Sequence, residues 1–122
     1  MSKSGWIGVD WDRTLVEYHT NPQGYNPMEH GEFLWPMLNR IKGWLANGQE
    51  VRIFSARASG FEDSEAGRAK KAAVIASMQD KLEAAGLPRL EVTCEKDYRC
   101  IQIWDDIAVS MHPNTGTPVF VP

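Results

Sequence analysis

The chain has 122 residues, of which 43% are hydrophobic and 24% are charged, which predicts a single domain over 1–122 with one ordinary core. Its formal net charge of -3 lacks the strongly basic balance of a dedicated nucleic-acid binder, although a local basic groove is compatible with it. No apolar stretch is long enough to cross a bilayer or to form a signal-peptide core, so we expect a cytoplasmic protein without a membrane partner. Cys94 and Cys100 lack metal-ligand spacing and are expected to be buried thiols rather than a disulfide.

Apolar runs alternate along the chain with segments of helical period, which is the pattern of an α/β fold. Residues 6–9 predict a buried parallel strand that ends at Asp10. Apolar residues from Leu34 to Leu45 recur at three- and four-residue spacing and predict an amphipathic helix that ends at Gly48. Residues 51–54 predict a second strand, which runs into a polar turn at Ser55.

The second half of the chain continues this alternation. A long helix is predicted from about Ser64, and Gly86 and Pro88 end it. Strands follow over 90–94 and 101–104, and a last short strand over 118–121 is expected at an edge because prolines flank it. The sequence therefore predicts a three-layer α/β/α, Rossmann-like domain with a mainly parallel central sheet and no large cap.

Polar residues stand where three of the predicted strands end. Ligands of open parallel sheets bind beyond the carboxyl ends of the strands, so these residues are expected to converge. Four carboxylates brought together would repel one another and raise their pKa values unless a cation joined them. Oxygen ligands of this kind suit Mg²⁺, which is commonly shared with a substrate phosphate. The residues concerned are Asp10, Asp12, Ser55, Asp105 and Asp106.

The ordered set of motifs resembles that of the haloacid dehalogenase-like superfamily of aspartate-nucleophile phosphotransferases, and in particular its small, capless phosphatase-like members. The resemblance spans nearly the whole chain. It is carried by "DWDRT" near the N-terminus, "FSAR" after the second strand, Lys96, and "WDD" after the fourth strand.

This resemblance implies a role for each motif residue. Asp10 would be the nucleophile that forms an aspartyl-phosphate, and Asp12 would be the general acid and base. Thr14 and Ser55 would bind the transferring phosphoryl oxygens or lie next to them. Lys96 would offset the negative charge that develops on the phosphate and on Asp10. Four residues would hold Mg²⁺: Asp10, Asp12, Asp105 and Asp106. Asp12 would do so through its backbone carbonyl, and Asp105 would bind the ion more directly than Asp106.

Several assignments keep an alternative. Lys70 or Lys71 on the long helix could take the place of Lys96. Arg57 could bind substrate or pair with a neighbouring acid, since Arg suits both roles. Arg13 stands where the family usually has glycine, and it would carry strain if the backbone needs a positive φ there.

Two aromatic or imidazole side chains near the motifs are expected to have no catalytic role. His112 is expected to be a surface residue on a loop at the site's side of the domain. Trp11 lies between the two aspartates of the first motif, and alternation along the chain points it away from Asp10, so it is expected to pack in the core.

The absence of a large lid bears on the substrate. A capless site accepts a bulky substrate or borrows a wall from another subunit, so a homo-oligomer is compatible with it. A phosphorylated small molecule such as a nucleotide is favoured, and a phosphorylated nucleic-acid end is the alternative. The insert 16–32 carries side chains that could stack a base or merely pack: Tyr18, His19, Tyr25 and His30.

Two other classes of protein share parts of this pattern. A response-regulator-like receiver domain also uses Asp, Mg²⁺, a hydroxyl and Lys, but its phosphorylated Asp lies on a middle strand, where this chain has Ser55 and Cys94. A catalytically idle interaction domain would be expected to have lost Asp10 or Asp12. The sequence favours an Mg²⁺-dependent phosphomonoester hydrolase over both.

Overall fold

The structure, a computed structural model, describes residues 5–19 and 23–120 of the chain. Its main sheet has four parallel strands in the order β3-β2-β1-β4. The strands are β1 (Trp6–Val9), β2 (Glu50–Phe54), β3 (Val92–Thr93) and β4 (Cys100–Trp104). Helix α1 (Trp35–Ala46) connects β1 to β2, and helix α2 (Glu65–Ala84) connects β2 to β3. The predicted α/β class with a mainly parallel sheet is therefore confirmed.

Local sequence signals set the ends of both helices. Pro36 lies in the first turn of α1, where a missing backbone N–H costs nothing, and Gly48 follows the helix with a φ of 78°. The Ser64 hydroxyl caps α2 by accepting a hydrogen bond from the Gly67 backbone N–H at 3.0 Å. Gly86 then ends α2 with a φ of 86°. Both helices therefore begin and end within a residue or two of the predicted positions.

The hydrophobic core lies between the two helices and one face of the sheet. The strand side chains of this face are Ile7, Val9, Val51, Ile53 and Val92, and they share one core cluster with the buried residues of α1 and α2. Trp6, Phe54 and Ile103 point to the opposite face and lie outside that cluster. Within residues 5–19 and 23–120 both helices thus pack on one face, and the third layer of the predicted arrangement is not confirmed.

The last part of the chain forms a separate two-stranded antiparallel sheet, made of β5 (Met111–His112) and β6 (Thr117–Pro118). A last short strand is present as predicted, but it covers Thr117–Pro118 rather than 118–121, of which residue 121 lies outside the described residues. His112 is exposed as expected, but it lies in β5 rather than in a loop. The predicted third strand is shorter than expected and covers only Val92–Thr93.

Neither helix in the described part of the chain is long and apolar enough to cross a membrane. Both cysteines are free thiols and are half-buried rather than fully buried. Trp11 is fully buried, as expected for a packing residue, and its ring makes edge contacts with His30 and Phe33.

Candidate active site

The carboxyl ends of β1, β2 and β4 meet around one cavity, as the sequence predicts. The cavity has a volume of about 300 Å³, and Asp10, Ser55 and Asp105 all line it. Asp10 directly follows β1, Ser55 follows β2 and Asp105 follows β4, so parallel pairing brings the three strand ends together. Sequence reasoning did not identify three further lining residues, Ser59, Cys94 and Ile107.

Three carboxylates at this edge lie close enough to share a cation. One oxygen from each of Asp10, Asp105 and Asp106 lies within 4.8 Å of the others. Alternation along the strand predicts that only one of the two neighbouring acids reaches the site, but both do. The reason is that β4 ends at Trp104, so the strand alternation no longer governs the two residues that follow.

The pKa values of Asp10 and Asp106 are shifted in opposite directions. Burial, followed by a hydrogen bond with Asp106 and the nearby charge of Asp105, raises the pKa of Asp10 to about 7. The Arg13 guanidinium holds the pKa of Asp106 below its usual range. At neutral pH, a nearby cation would therefore favour the ionised form of Asp10.

Arg13 reaches the site by way of a strained backbone. Its φ is 69°, so the position that usually carries glycine in the resembling family has the left-handed conformation that favours glycine. Its Nε and a terminal nitrogen both donate to Asp106 Oδ2, at 3.0 and 2.8 Å. The strain expected from the sequence is present, and the side chain is directed to an acid of the cluster, a contact that the sequence did not predict.

Asp12 lies apart from the three-acid cluster and is held by Arg57. The Arg57 guanidinium donates to both oxygens of Asp12, with Nε and a terminal nitrogen each at 2.8 Å. Its remaining terminal nitrogen donates to the backbone carbonyls of Pro27 and Glu29, both at 2.9 Å. The Arg57 side chain is only 3% exposed. Of the two roles left open for Arg57, the structure has the pairing with an acid.

The hydroxyl residues of the motifs lie beside Asp10. Thr14 Oγ1 donates to Asp10 Oδ2 at 3.3 Å, which helps to orient that carboxyl. Ser55 is buried, and its hydroxyl accepts a hydrogen bond from the Arg57 backbone N–H at 3.1 Å. That contact uses a lone pair of the Ser55 hydroxyl and leaves its proton available for a ligand in the cavity.

None of the three candidate lysines lines the cavity of Asp10. Lys96 lines a neighbouring cavity of about 360 Å³ that shares Asp105 with it. Lys71 lines another neighbouring cavity, of about 300 Å³, that shares Ser59 and Cys94 with it. Lys70 is exposed on α2. The structure thus places Lys96 and Lys71 next to the site on different sides of it.

A further cavity, of about 350 Å³, lies under the insert that follows β1. Tyr18, His19, Tyr25 and His30 all line it, together with Arg57. His30 is also part of the packing, because Trp11 Nε1 donates to its Nδ1 at 3.1 Å and its Nε2 lies 2.8 Å from Ser77 Oγ. Burial, and then the nearby Arg57 charge, lower the pKa of His30 to about 4.

These shifts predict two opposing pH effects on the free energy of unfolding of the metal-free protein. The raised pKa of Asp10 stabilises the fold below pH 4, and this contribution is lost as the pH rises towards 7. For a half-buried group we expect on the order of 2 kcal/mol, after allowance for solvent screening. The lowered pKa of His30 acts in the other direction, since its contribution is present above pH 6.5 and is lost as the pH falls towards 4.

The measurement is urea unfolding in EDTA from pH 4 to pH 8, for the wild type and for Asp10→Asn. We expect the variant to gain stability relative to the wild type as the pH rises, because the opposing contribution of Asp10 is absent and that of His30 remains. A constant difference between the two proteins across this range would contradict the shift of Asp10.

Comparison of the chain with protein-family models, with curated proteins and with solved structures found no match. The resemblance to the haloacid dehalogenase-like superfamily therefore rests on the motifs and on the arrangement of the residues that carry them.

Proposed function

We propose that the chain is a haloacid dehalogenase-like phosphatase, a hydrolase that cleaves phosphomonoesters with the help of Mg²⁺. The single observation that carries this proposal is the meeting of Asp10, Ser55 and Asp105 from three strands in one cavity, with Asp106 within reach of the same point. This arrangement supports the proposal because phosphoryl transfer depends mostly on positioning and on the stabilisation of charge.

The charge balance of the site fits a divalent metal ion. Four carboxylates and two guanidiniums at this edge leave two negative charges, since Arg57 pairs with Asp12 and Arg13 pairs with Asp106. An ion with ligands at about 2.1 Å holds its ligand oxygens roughly 3 to 4 Å apart, which suits the spacing of the three acids. Asp10, Asp105 and Asp106 would hold the ion, with the backbone carbonyl of Asp12. Bound Mg²⁺ would neutralise charge on the phosphoryl oxygens.

The proposed reaction has two steps, both carried by residues of this chain. In the first, substrate binding opens the pair between Arg57 and Asp12, and Asp12 takes up a proton from solvent. An oxygen of ionised Asp10 then attacks phosphorus, the ester P–O bond breaks, and the leaving oxygen takes that proton from Asp12. In the second, Asp12 accepts a proton from water as that water attacks the acyl phosphate. Inorganic phosphate leaves, and Asp10 is regenerated as a carboxylate. Thr14 orients Asp10 throughout, and the Ser55 hydroxyl donates to a phosphoryl oxygen.

The insert cavity favours a nucleotide as the substrate class. Two tyrosines and an exposed imidazole line it, and aromatic faces of this kind stack bases. Arg57 connects it to the catalytic acid, since the same guanidinium lines the cavity and holds Asp12. A screen of nucleoside monophosphates, sugar phosphates and phosphorylated oligonucleotide ends distinguishes this substrate class from the nucleic-acid alternative.

The proposal is tested by hydrolysis of para-nitrophenyl phosphate, measured with Mg²⁺ and with EDTA. We expect turnover with Mg²⁺ and its loss in EDTA, with full recovery when Mg²⁺ is added back. Binding of phosphate without turnover under all conditions would instead favour a non-catalytic module that recognises phosphorylated ligands.

The lysine that stabilises the phosphoryl charge is expected to be Lys96. Its cavity contains Asp105, a member of the metal cluster, and within the described ranges Lys96 takes part in no ion pair that would occupy its ammonium group. Replacement of Lys96 by Met should lower kcat by about 100-fold, as expected when one electrostatic contact in the transition state is lost. The measurement is kcat with para-nitrophenyl phosphate at saturating Mg²⁺.

Two neighbouring lysines provide matched controls for this prediction. Lys70→Met, on the exposed surface of α2, should leave kcat within about twofold of the wild type. A loss of kcat in Lys71→Met with none in Lys96→Met would instead assign the role to the lysine of α2.

A further inference from the structure

Arg57 contacts both of the cavities that the proposed function uses. Its backbone N–H donates at 3.1 Å to the hydroxyl of Ser55, which lines the cavity of Asp10, and its side chain lines the insert cavity. Among the described residues these two cavities have no lining residue in common, so a phosphate ester and a base can occupy them at the same time. Arg57 is therefore placed to connect what binds in one cavity with what happens in the other.

The guanidinium of Arg57 occupies the proposed general acid. Both oxygens of Asp12 accept hydrogen bonds from it, each at 2.8 Å, and the Arg57 side chain is only 3% exposed. A carboxyl that protonates a leaving group needs an oxygen directed at that group. Asp12 meets this requirement only after its bonds to Arg57 open, so the pair between Arg57 and Asp12 holds the acid in an inactive arrangement.

The insert cavity contains a contact through which a ligand can open this pair. The guanidinium carbon of Arg57 lies over the Tyr25 ring, 5.1 Å from its centre. Tyr25 is 56% exposed and lines the cavity, so a base that stacks on this ring competes with the guanidinium for it. Arg57 also donates to the carbonyls of Pro27 and Glu29, both at 2.9 Å. A shift of the guanidinium therefore affects the insert and the bonds to Asp12 together.

We propose that Arg57 is a positioning residue that releases Asp12 when the base of a nucleotide occupies the insert cavity. This inference rests on the proposed function, because it concerns when the general acid of that reaction becomes available. A ligand favours one of two arrangements only if it binds that arrangement better, and the Tyr25 ring, free of the guanidinium, supplies this difference. Coupling of this kind is reciprocal, so weaker bonds between Arg57 and Asp12 must give tighter binding in the insert cavity.

The first test measures binding and does not need catalysis. Adenosine and cytidine, which carry a base but no phosphate, are titrated into the metal-free protein by calorimetry. In Asp12→Asn the charged pair with Arg57 is lost, so the nucleoside dissociation constant should fall by about tenfold. Tyr25→Ala should raise it by about tenfold, because a stacking contact is lost.

Two further variants make this test specific. Asp63→Asn is the matched control, because it makes the same substitution in another pair between Asp and Arg, where both side chains are exposed. It should leave the dissociation constant within about twofold of the wild type. Arg57→Lys weakens the same pair as Asp12→Asn from its other side and should also tighten binding, because an ammonium group cannot make two parallel bonds. Far-UV circular dichroism establishes that each variant is folded.

Unchanged or weaker binding in both Asp12→Asn and Arg57→Lys overturns the proposal. So does the absence of nucleoside binding in the wild type and in both of these variants.

The second test asks whether a bound base releases Asp12 for the first step of the reaction. It uses methyl phosphate at saturating Mg²⁺, because the leaving oxygen of this ester needs a proton and its methyl group cannot stack. Saturating adenosine should raise kcat/KM for methyl phosphate at least about fivefold. It should change kcat/KM for para-nitrophenyl phosphate less than about twofold, because nitrophenolate leaves without a proton and kcat/KM reports the steps up to its departure.

The outcomes of this second test separate the inference from the proposed function. Hydrolysis of both esters with no activation by adenosine, or with equal activation, overturns the role of Arg57 and leaves the phosphatase activity in place. No hydrolysis of either ester with Mg²⁺ contradicts the proposed function, and the inference falls with it.

Discussion

Replacement of Asp10 by Asn is expected to lower the turnover of para-nitrophenyl phosphate by at least about 1,000-fold at saturating Mg²⁺. Asn has nearly the same shape and can still accept the hydrogen bond that Thr14 donates to Asp10 at 3.3 Å. Its amide, however, cannot attack phosphorus to give an acyl phosphate. The loss should appear in kcat, because the covalent step disappears while the cavity and its other residues remain.

Asp63→Asn is the control for this substitution. The Asp63 side chain is fully exposed and, among the described residues, its one ion pair is with the exposed side chain of Arg68. The turnover of this variant should therefore equal that of the wild type. Metal-free Asp10→Asn should also be at least as stable as the wild type at pH 8, because the Asn side chain does not ionise. Equal turnover by Asp10→Asn and wild type would remove Asp10 from the mechanism.

Replacement of Arg57 by Ala is expected to lower the free energy of unfolding by about 3 kcal/mol, the largest stability effect that we predict. The substitution removes four hydrogen bonds, two to the oxygens of Asp12 and two to backbone carbonyls of the insert. It also leaves those carbonyls and one carboxylate without their partner in a partly buried position. The measurement is urea unfolding at pH 7, together with limited proteolysis of the insert, which should become faster.

Arg68→Ala tests whether this loss is specific. Arg68 also pairs with an aspartate, but both side chains of that pair are exposed, at 66% and 102%, so its loss should cost less than about 0.5 kcal/mol. Arg57→Lys should recover only part of the stability, because an ammonium group cannot make the two parallel bonds to Asp12. A loss in Arg57→Ala no larger than that in Arg68→Ala would show that the buried pair contributes little.

Much of the fold could be predicted from the sequence, because its main elements carry strong local signals. The apolar run of β1, the helical period of α1 and the Ser64 cap of α2 each depend on neighbouring residues only. β3 is shorter than predicted because only Val92 and Thr93 pair with β2, at its last two residues, and pairing depends on residues distant in sequence. The sequence does not predict the first strand of the C-terminal hairpin, although the turn "HPNTGT" is rich in turn-forming residues.

Part of the candidate site could likewise be predicted from the sequence, and part could not. Convergence of Asp10, Ser55 and Asp105 follows from parallel pairing and could be expected from the strand ends alone. The partners of Arg13 and Arg57 could not, because each contact joins residues far apart in the chain: Arg13 with Asp106, and Arg57 with Asp12. From the sequence, Arg57 could therefore have either of two roles. Only the fold shows that its guanidinium is bound by Asp12 and by backbone carbonyls of the chain.

The anchoring of the insert by backbone groups makes this part of the chain tolerant of sequence change. Its ends are joined by a hydrogen bond from the Glu17 N–H to the Glu32 carbonyl at 2.9 Å, and Arg57 binds two carbonyls in its middle. Every amino acid supplies a carbonyl, so exposed side chains such as Tyr18 and His19 can be exchanged while these bonds remain. These side chains of the insert cavity can therefore change without disturbing the candidate active site beside it.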